Sequence, residues 1–222
     1  MMIVVYILMI GIPLLAQVKI KTEYNRYSKV GNSKKLSGCE VARKILDANG
    51  LEKIYVVEVE GELTDHYDPT RKTVRLSTSI FHDTSISSAA VAAHECGHAI
   101  QDKIDYKPMR IRSMLVPIVN LVSSLSWYII IFGIIAQIFK IFLIGIGLIS
   151  LSLVFQLVTL PVEIDASRRA KKELLKLNLI SESEKDGIKK VLTAAAMTYV
   201  AAVLTSILQI FRLFLEYSSR RR

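Results

Sequence analysis

Residues 89–101, Ala-Ala-Val-Ala-Ala-His94-Glu95-Cys96-Gly97-His98-Ala-Ile-Gln101, decide how the rest of the chain is read. Ala89, Ala90, Ala92 and Ala93 favour helix, and Asp83 or Ser85 stands where a cap is needed. On that helix His94 and His98 are four residues apart, so they lie one turn apart on the same face. Two imidazoles in this relation can converge on a zinc ion at about 2.0–2.1 Å. Glu95 lies one position further round, where it reaches a water on such an ion rather than the ion itself. In 222 residues with only 4 histidines, the pattern is expected by chance roughly 0.004 times. A helix whose histidines merely satisfy hydrogen bonds is the plainer reading, and it leaves half of the histidines falling in one motif unexplained. Cys96 should point away from the metal as a small buried thiol.

A catalytic zinc site needs a third protein ligand beside an open position. Gln101 to Arg110 holds no histidine, so the histidine-rich continuation of metzincins is absent and a carboxylate is favoured. The obvious supply is Pro161-Val162-Glu163-Ile164-Asp165-Ala166-Ser167, read as the opening of a helix with Pro161 in its first turn. Glu163 and Asp165 point about 200° apart on a helix, so only one of them can face the ion.

Outward from this centre the chain is apolar, at 51% hydrophobic residues and a mean hydropathy of +0.38. Met1 to Val18, Ser113 to Phe139 and Ile141 to Pro161 carry no charge, and each approaches the roughly 20 residues that cross a bilayer. A fourth run, Val191 to Phe211, could span or lie packed, because Thr198, Thr205, Gln209 and Arg212 share one helical face. The first run lacks the basic start and cleavage site of a secretory signal, so it reads as a retained anchor. Lys19, Lys21, Arg26, Lys29, Lys34 and Lys35 follow it, and the positive-inside rule places that flank in the cytoplasm. Two spans between His98 and Glu163 return the chain to the side it left, which lets the ligands meet. The net charge of +9 is thereby explained by topology, and without interleaved aromatic residues no nucleic-acid partner is expected.

The water-facing blocks, residues 21–112 and 163–190, suffice for one small core. Ser37-Gly-Cys-Glu40 has capping-box spacing, and Asn49-Gly50 ends the helix that it begins. Lys53 to Val59 suits a strand, and Leu63 to Tyr67 with Lys72 to Ser77 flank a turn at Asp68-Pro69. His66 and Tyr67 either shape that turn or donate to an oxyanion, the former being favoured. His82 reads as a surface residue, and Cys39 and Cys96 as unpaired core thiols. Arg168 and Arg169 read as topological and lipid-contact residues. Asn120, Ser123, Ser124 and Ser126 suit either a wet cavity or hydrogen bonding between helices.

His94 to Gln101 (HECGHAIQ), Leu63 to Ser77 (LTDHYDPTRKTVRLS), Ser37 to Leu46 (SGCEVARKIL) and Leu160 to Ala170 (LPVEIDASRRA) together resemble the YugP-like neutral zinc metallopeptidases of prokaryotic membranes. The arrangement is also similar to that of HtpX-type peptidases, in which a transmembrane hairpin separates the two-histidine helix from a glutamate ligand. The resemblance implies His94, His98 and Glu163 as zinc ligands and Glu95 as the catalytic residue; the longer reach of Glu163 agrees. Asp165 then serves as a cap, a residue behind the ligands or a surface charge. The HtpX-like pattern has an aspartate four positions after the ligand glutamate, where this chain has Ser167, so the partner of a ligand histidine is left unassigned.

The expected fold is an α+β membrane protein, mainly helical, with a small sheet in a zincin-like, gluzincin-type cytoplasmic domain and three to four transmembrane helices. Its expected divisions are an anchor (1–20), a catalytic part (21–112), a transmembrane hairpin (113–161), a helix with the third ligand (162–190) and an apolar helix with a basic tail (191–222). The expected function is zinc-dependent endopeptidase action on a peptide or protein substrate at the cell membrane. One rival is a zinc-binding membrane sensor or assembly factor without turnover, which has no need of Glu95. Another is a site-2-type protease, whose motif lies within a span; Gln101, Asp102, Lys103 and Asp105 are too polar for that.

Overall fold

The computed structural model describes residues 2–220. In chain order the elements are α1 (Met2–Tyr27), α2 (Gly38–Ala48), β1 (Tyr55–Val59), β2 (His66–Asp68), β3 (Thr73–Ser77), α3 (Thr78–His82), α4 (Ile86–Lys103), α5 (Lys107–Ile135), α6 (Phe139–Lys176), a 3-10 turn (Glu182–Glu184) and α7 (Lys185–Arg220). They gather into two compact units, one of residues 2–17, 107–161 and 198–220, the other of residues 18–106 and 162–197. Helices α1, α5, α6 and α7 are each long and apolar enough to cross a membrane.

In the first unit, α5 and α6 approach through small residues. A Cβ at Gly133 would stand 2.6 Å from the Phe142 nitrogen, and one at Gly145 2.5 Å from Ile130 Cγ1. Ile130, Phe142, Ile146, Ile149 and Leu213 form its core, while Ile3, Leu15, Leu121 and Tyr128 remain exposed, as the lipid-facing sides of spans do. Ser123 pairs with Ser152 across the hairpin (Oγ to Oγ, 2.8 Å), whereas Ser124 and Ser126 bond back to Asn120 and Ser123 carbonyls in their own helix. The polar residues of α7 turn toward other helices: Thr198 and Thr205, with Gln17 of α1 and Gln156 of α6, line a cavity of about 320 Å³. Near its end the Arg212 guanidinium lies over the Tyr6 ring, and the Tyr6 hydroxyl donates to Glu216. A polar face directed at neighbouring helices accounts for the mixed character of this run.

In the second unit, Ser37 caps α2 as its sequence requires. Its hydroxyl accepts from the Glu40 N–H, and Glu40 accepts from the Ser37 N–H. Gly50, at φ +65°, ends the helix in the left-handed conformation that glycine permits. The sheet has the order β1-β3-β2; β1 runs parallel to β3, and β2 antiparallel, with Tyr67 opposite Val74. Asp68 Oδ1 accepts from the N–H groups of Thr70 and Arg71, closing the turn expected there. Val41, Ile45, Leu46, Val74, Leu76 and Ile80 are buried between sheet and helices. Ser85 caps α4, its hydroxyl accepting from the Ser88 N–H.

Two features depart from the sequence reading. Helix α3 was not foreseen; the Ile80 carbonyl sits where a Cβ on Gly38 would be, only 2.2 Å away. The helix expected to open at Pro161 does not open there, because α6 runs unbroken from Phe139 to Lys176 with Pro161 inside it. A helical interior tolerates proline when the freed carbonyl finds another way to be satisfied. The segment that carries Glu163 is thus the continuation of an apolar helix, and the last apolar run likewise begins earlier, at Lys185.

Candidate metal centre

Helix α4 places His94 and His98 one turn apart, with ring centroids 4.8 Å apart and ring planes at 85°. Glu163 of α6 faces both: its Oε2 lies 3.2 Å from His94 Nε2 and 3.4 Å from His98 Nε2. One ligand atom from each of the three lies within 4.8 Å of the others. Two ligands held at zinc distances and a tetrahedral angle are separated by roughly 3.3 Å, so the two glutamate–histidine spacings match edges of a coordination tetrahedron. Glu163 is 2% exposed and His98 7%. A carboxylate so deeply buried needs cationic or hydrogen-bonding partners, and a divalent ion supplies them.

The helices come this close because of the motif's own glycine. A Cβ on Gly97 would stand 2.5 Å from the Ala166 carbonyl oxygen, and Ala166 is fully buried. Gly97 therefore removes the side chain that would hold α6 away from α4. Its neighbour Cys96 faces the opposite way, its thiol toward the Ala42 carbonyl at 3.6 Å.

Glu95 is buried beside this cluster and accepts the backbone N–H of Tyr67. Burial pushes its carboxyl up to about 7, with Glu163 and Asp65 adding to the rise and His94 opposing it. Strand β2, at the edge of the sheet, thus brings a backbone N–H to this carboxyl. The Tyr67 hydroxyl donates to Asp102 Oδ2 (2.7 Å), which also receives Lys72 Nζ (2.5 Å), and these contacts fasten β2 and β3 to α4. His66 is exposed and bonds within its turn, to the Thr64 carbonyl. His82 pairs with Glu58 at the surface.

The far nitrogens of the two imidazoles also have partners. His94 Nδ1 lies 3.2 Å from Ser167 Oγ, and His98 Nδ1 lies 3.0 Å from Gln101 Oε1. Gln101 was not singled out from the sequence, although its place three residues after His98 put it on the same face. Asp165 is 6% exposed and accepts from Gln101 Nε2 (3.0 Å), Arg168 (3.0 Å) and Arg169 (2.6 Å). Asp165 thus lies behind the His94–His98–Glu163 cluster, reaching His98 through Gln101. Arg168 and Arg169 also hold this acid in place, a contact that the sequence reading did not include.

Such a pair of helices, with two imidazoles and a carboxylate converging beside a buried second carboxylate, is the architecture of metal-dependent hydrolases. Residues 1–218 match the family described as "Putative neutral zinc metallopeptidase", and the chain belongs to that family. It is 42% identical over 212 residues, covering 96% of this chain and 94% of the other, to the Bacillus subtilis (strain 168) protein named "Putative membrane protease YugP". No solved structure matches the chain.

Proposed function

We propose that this protein is a membrane-embedded, zinc-dependent endopeptidase in which His94, His98 and Glu163 hold the metal and Glu95 is the general base. The observation that carries the reading is the convergence of three candidate ligand atoms, two of them at zinc-like spacings from the third, with a second carboxylate buried alongside. Bound zinc supplies Lewis acidity, polarising the scissile carbonyl and lowering the pKa of water near 7. Glu95 accepts a proton from the attacking water and delivers it to the leaving amine. Burial raises its carboxyl, and a divalent ion nearby would draw it down again. The Tyr67 N–H holds one carboxylate oxygen, fixing where the other points.

Substrate binds extended, adding as a strand to the outer edge of β2, the edge beside Glu95. The water-facing unit is a zincin-like domain on the cytoplasmic side. Lys103, Lys107, Arg110 and Arg112 before the hairpin and Arg168, Arg169, Lys171 and Lys172 after it support that orientation, with only Lys140 near its far turn.

The test is cleavage of a denatured-protein mixture by the full chain purified in detergent. Activity should vanish with chelator and return with zinc. Stoichiometric zinc with no cleavage would instead favour the sensor reading.

A further inference from the structure

Gln101 has one amide and three partners, and their identities leave it a single orientation. Its Nε2 donates to the Val162 carbonyl (2.8 Å) and to Asp165 Oδ2 (3.0 Å), both of which can only accept while Asp165 is ionised beside two arginines. Those two bonds use both amide hydrogens. Turning the amide over would aim an oxygen at two acceptors, so the flipped form is excluded by the network itself. What remains for His98 Nδ1, 3.0 Å away, is the amide oxygen, which only accepts. The hydrogen in that bond must then come from His98, and Nε2 keeps its lone pair for a metal.

His94 is treated differently. Its Nδ1 faces the Ser167 hydroxyl at 3.2 Å, a group that can donate or accept and so imposes no tautomer. The two imidazoles are therefore not equivalent, although the sequence motif presents them as a pair.

Resting on the zinc reading above, we infer that Gln101 is a positioning residue that presets His98 as an Nε2 ligand. Asp165, clamped by Arg168 and Arg169, sets Gln101 in turn. The chain from His98 through Gln101 to Asp165 and the Val162 carbonyl also ties α4 to the stretch of α6 that carries Glu163. It thereby aligns ligands from both helices. Gln101 is fully buried, so solvent cannot replace these bonds if they are removed.

The experiment measures zinc affinity, by competition with a chelator, for the full chain in detergent as wild type, Gln101→Leu and Gln101→Glu. Leucine fills the space without accepting from His98, and should weaken zinc about 10–100-fold, the usual cost of removing such a partner. Glutamate keeps an oxygen toward His98 but aims its second oxygen at Asp165 and the Val162 carbonyl, the two acceptors that exclude the flipped amide, so it should not restore wild-type affinity. The second measurement needs no variant: long-range nitrogen-15 spectra of the histidines in the zinc-loaded wild type, only four in number. These should show His98 bound through Nε2, with an Nδ1–H that exchanges slowly with water. Metal bound through His98 Nδ1, or equal affinity in wild type and a folded Gln101→Leu, overturns the inference while leaving the peptidase reading in place. A wild type that binds no zinc overturns both.

Discussion

Gly97 and Ala166 meet so closely that no side chain fits between them: the position a Cβ would take on Gly97 is 2.5 Å from the Ala166 oxygen. The spacing of the metal motif is therefore also a packing requirement, because α6 can bring Glu163 to the histidines only past a bare backbone. Gly97→Ala should cost roughly 1–3 kcal/mol through overpacking. It should also lower zinc content although all three ligands are intact. Thermal unfolding and metal analysis of the purified variant check both; undiminished zinc would show that the contact is not needed.

Glu95→Gln keeps the shape of the side chain but cannot take the proton from water. It should retain zinc and lose about 10²–10⁴-fold in peptidase rate. Loss of the metal in this variant would count against its role as base. His94→Ala and His98→Ala should each lose the metal itself, as removal of a ligand predicts.

Glu163 and Asp165 make the sharpest comparison. Glu163→Gln should strip zinc, because its Oε2 stands between both imidazoles. Asp165→Asn touches the metal only through Gln101, so zinc should remain stoichiometric at reduced affinity. The assignment fails if Asp165→Asn loses the metal while Glu163→Gln keeps both metal and activity.

Ser37→Ala removes the acceptor at the start of α2 and should cost about 1 kcal/mol, or about 2–4 °C in Tm for a chain of this size. The pH dependence follows from the other half of the box. The Ser37 backbone N–H holds the Glu40 carboxyl below its usual range. A depressed carboxyl contributes stability above its unfolded value of about 4.3, and that contribution is lost as pH falls through the folded value. Glu40→Gln should therefore unfold with a weaker pH dependence than wild type between pH 6 and pH 3. Parallel curves for the two would rule out this contribution.

The proposed orientation predicts which cysteines an impermeant reagent reaches on intact cells. Substitutions near Lys140 should react, and those in residues 21–112 and 163–190 should not. The C-terminal end of α7 should share the outer side with the start of α1, since Tyr6 donates to Glu216. Labelling of either block from outside would reverse the orientation.

The sequence carried the local features well because each rests on short-range rules. The α2 box needs only Ser37, Glu40 and Gly50, and the α4 motif only a turn of helix. The partner of His94 was not legible, since Ser167 matters through where α6 lies; Gln101 shares a helical face with His98 by spacing, but the contacts that orient its amide come from α6. Pro161 misled for a related reason. Proline opens helices more often than it sits within them, and its toleration inside α6 depends on the surrounding structure. The second partner of Arg168 and Arg169 was hidden in the same way, because the burial of Asp165 depends on packing.

Cys96 sits in the middle of the metal motif, yet its sulfur is turned to the Ala42 carbonyl, fully buried, with burial pushing its thiol up. Every ligand atom at the proposed site is nitrogen or oxygen. Oxidants that eject zinc from thiolate sites have no sulfur to attack here, and the one sulfur nearby is protonated and out of reach. The proposed centre is in this sense blind to redox conditions: peroxide or disulfide stress should leave its metal in place.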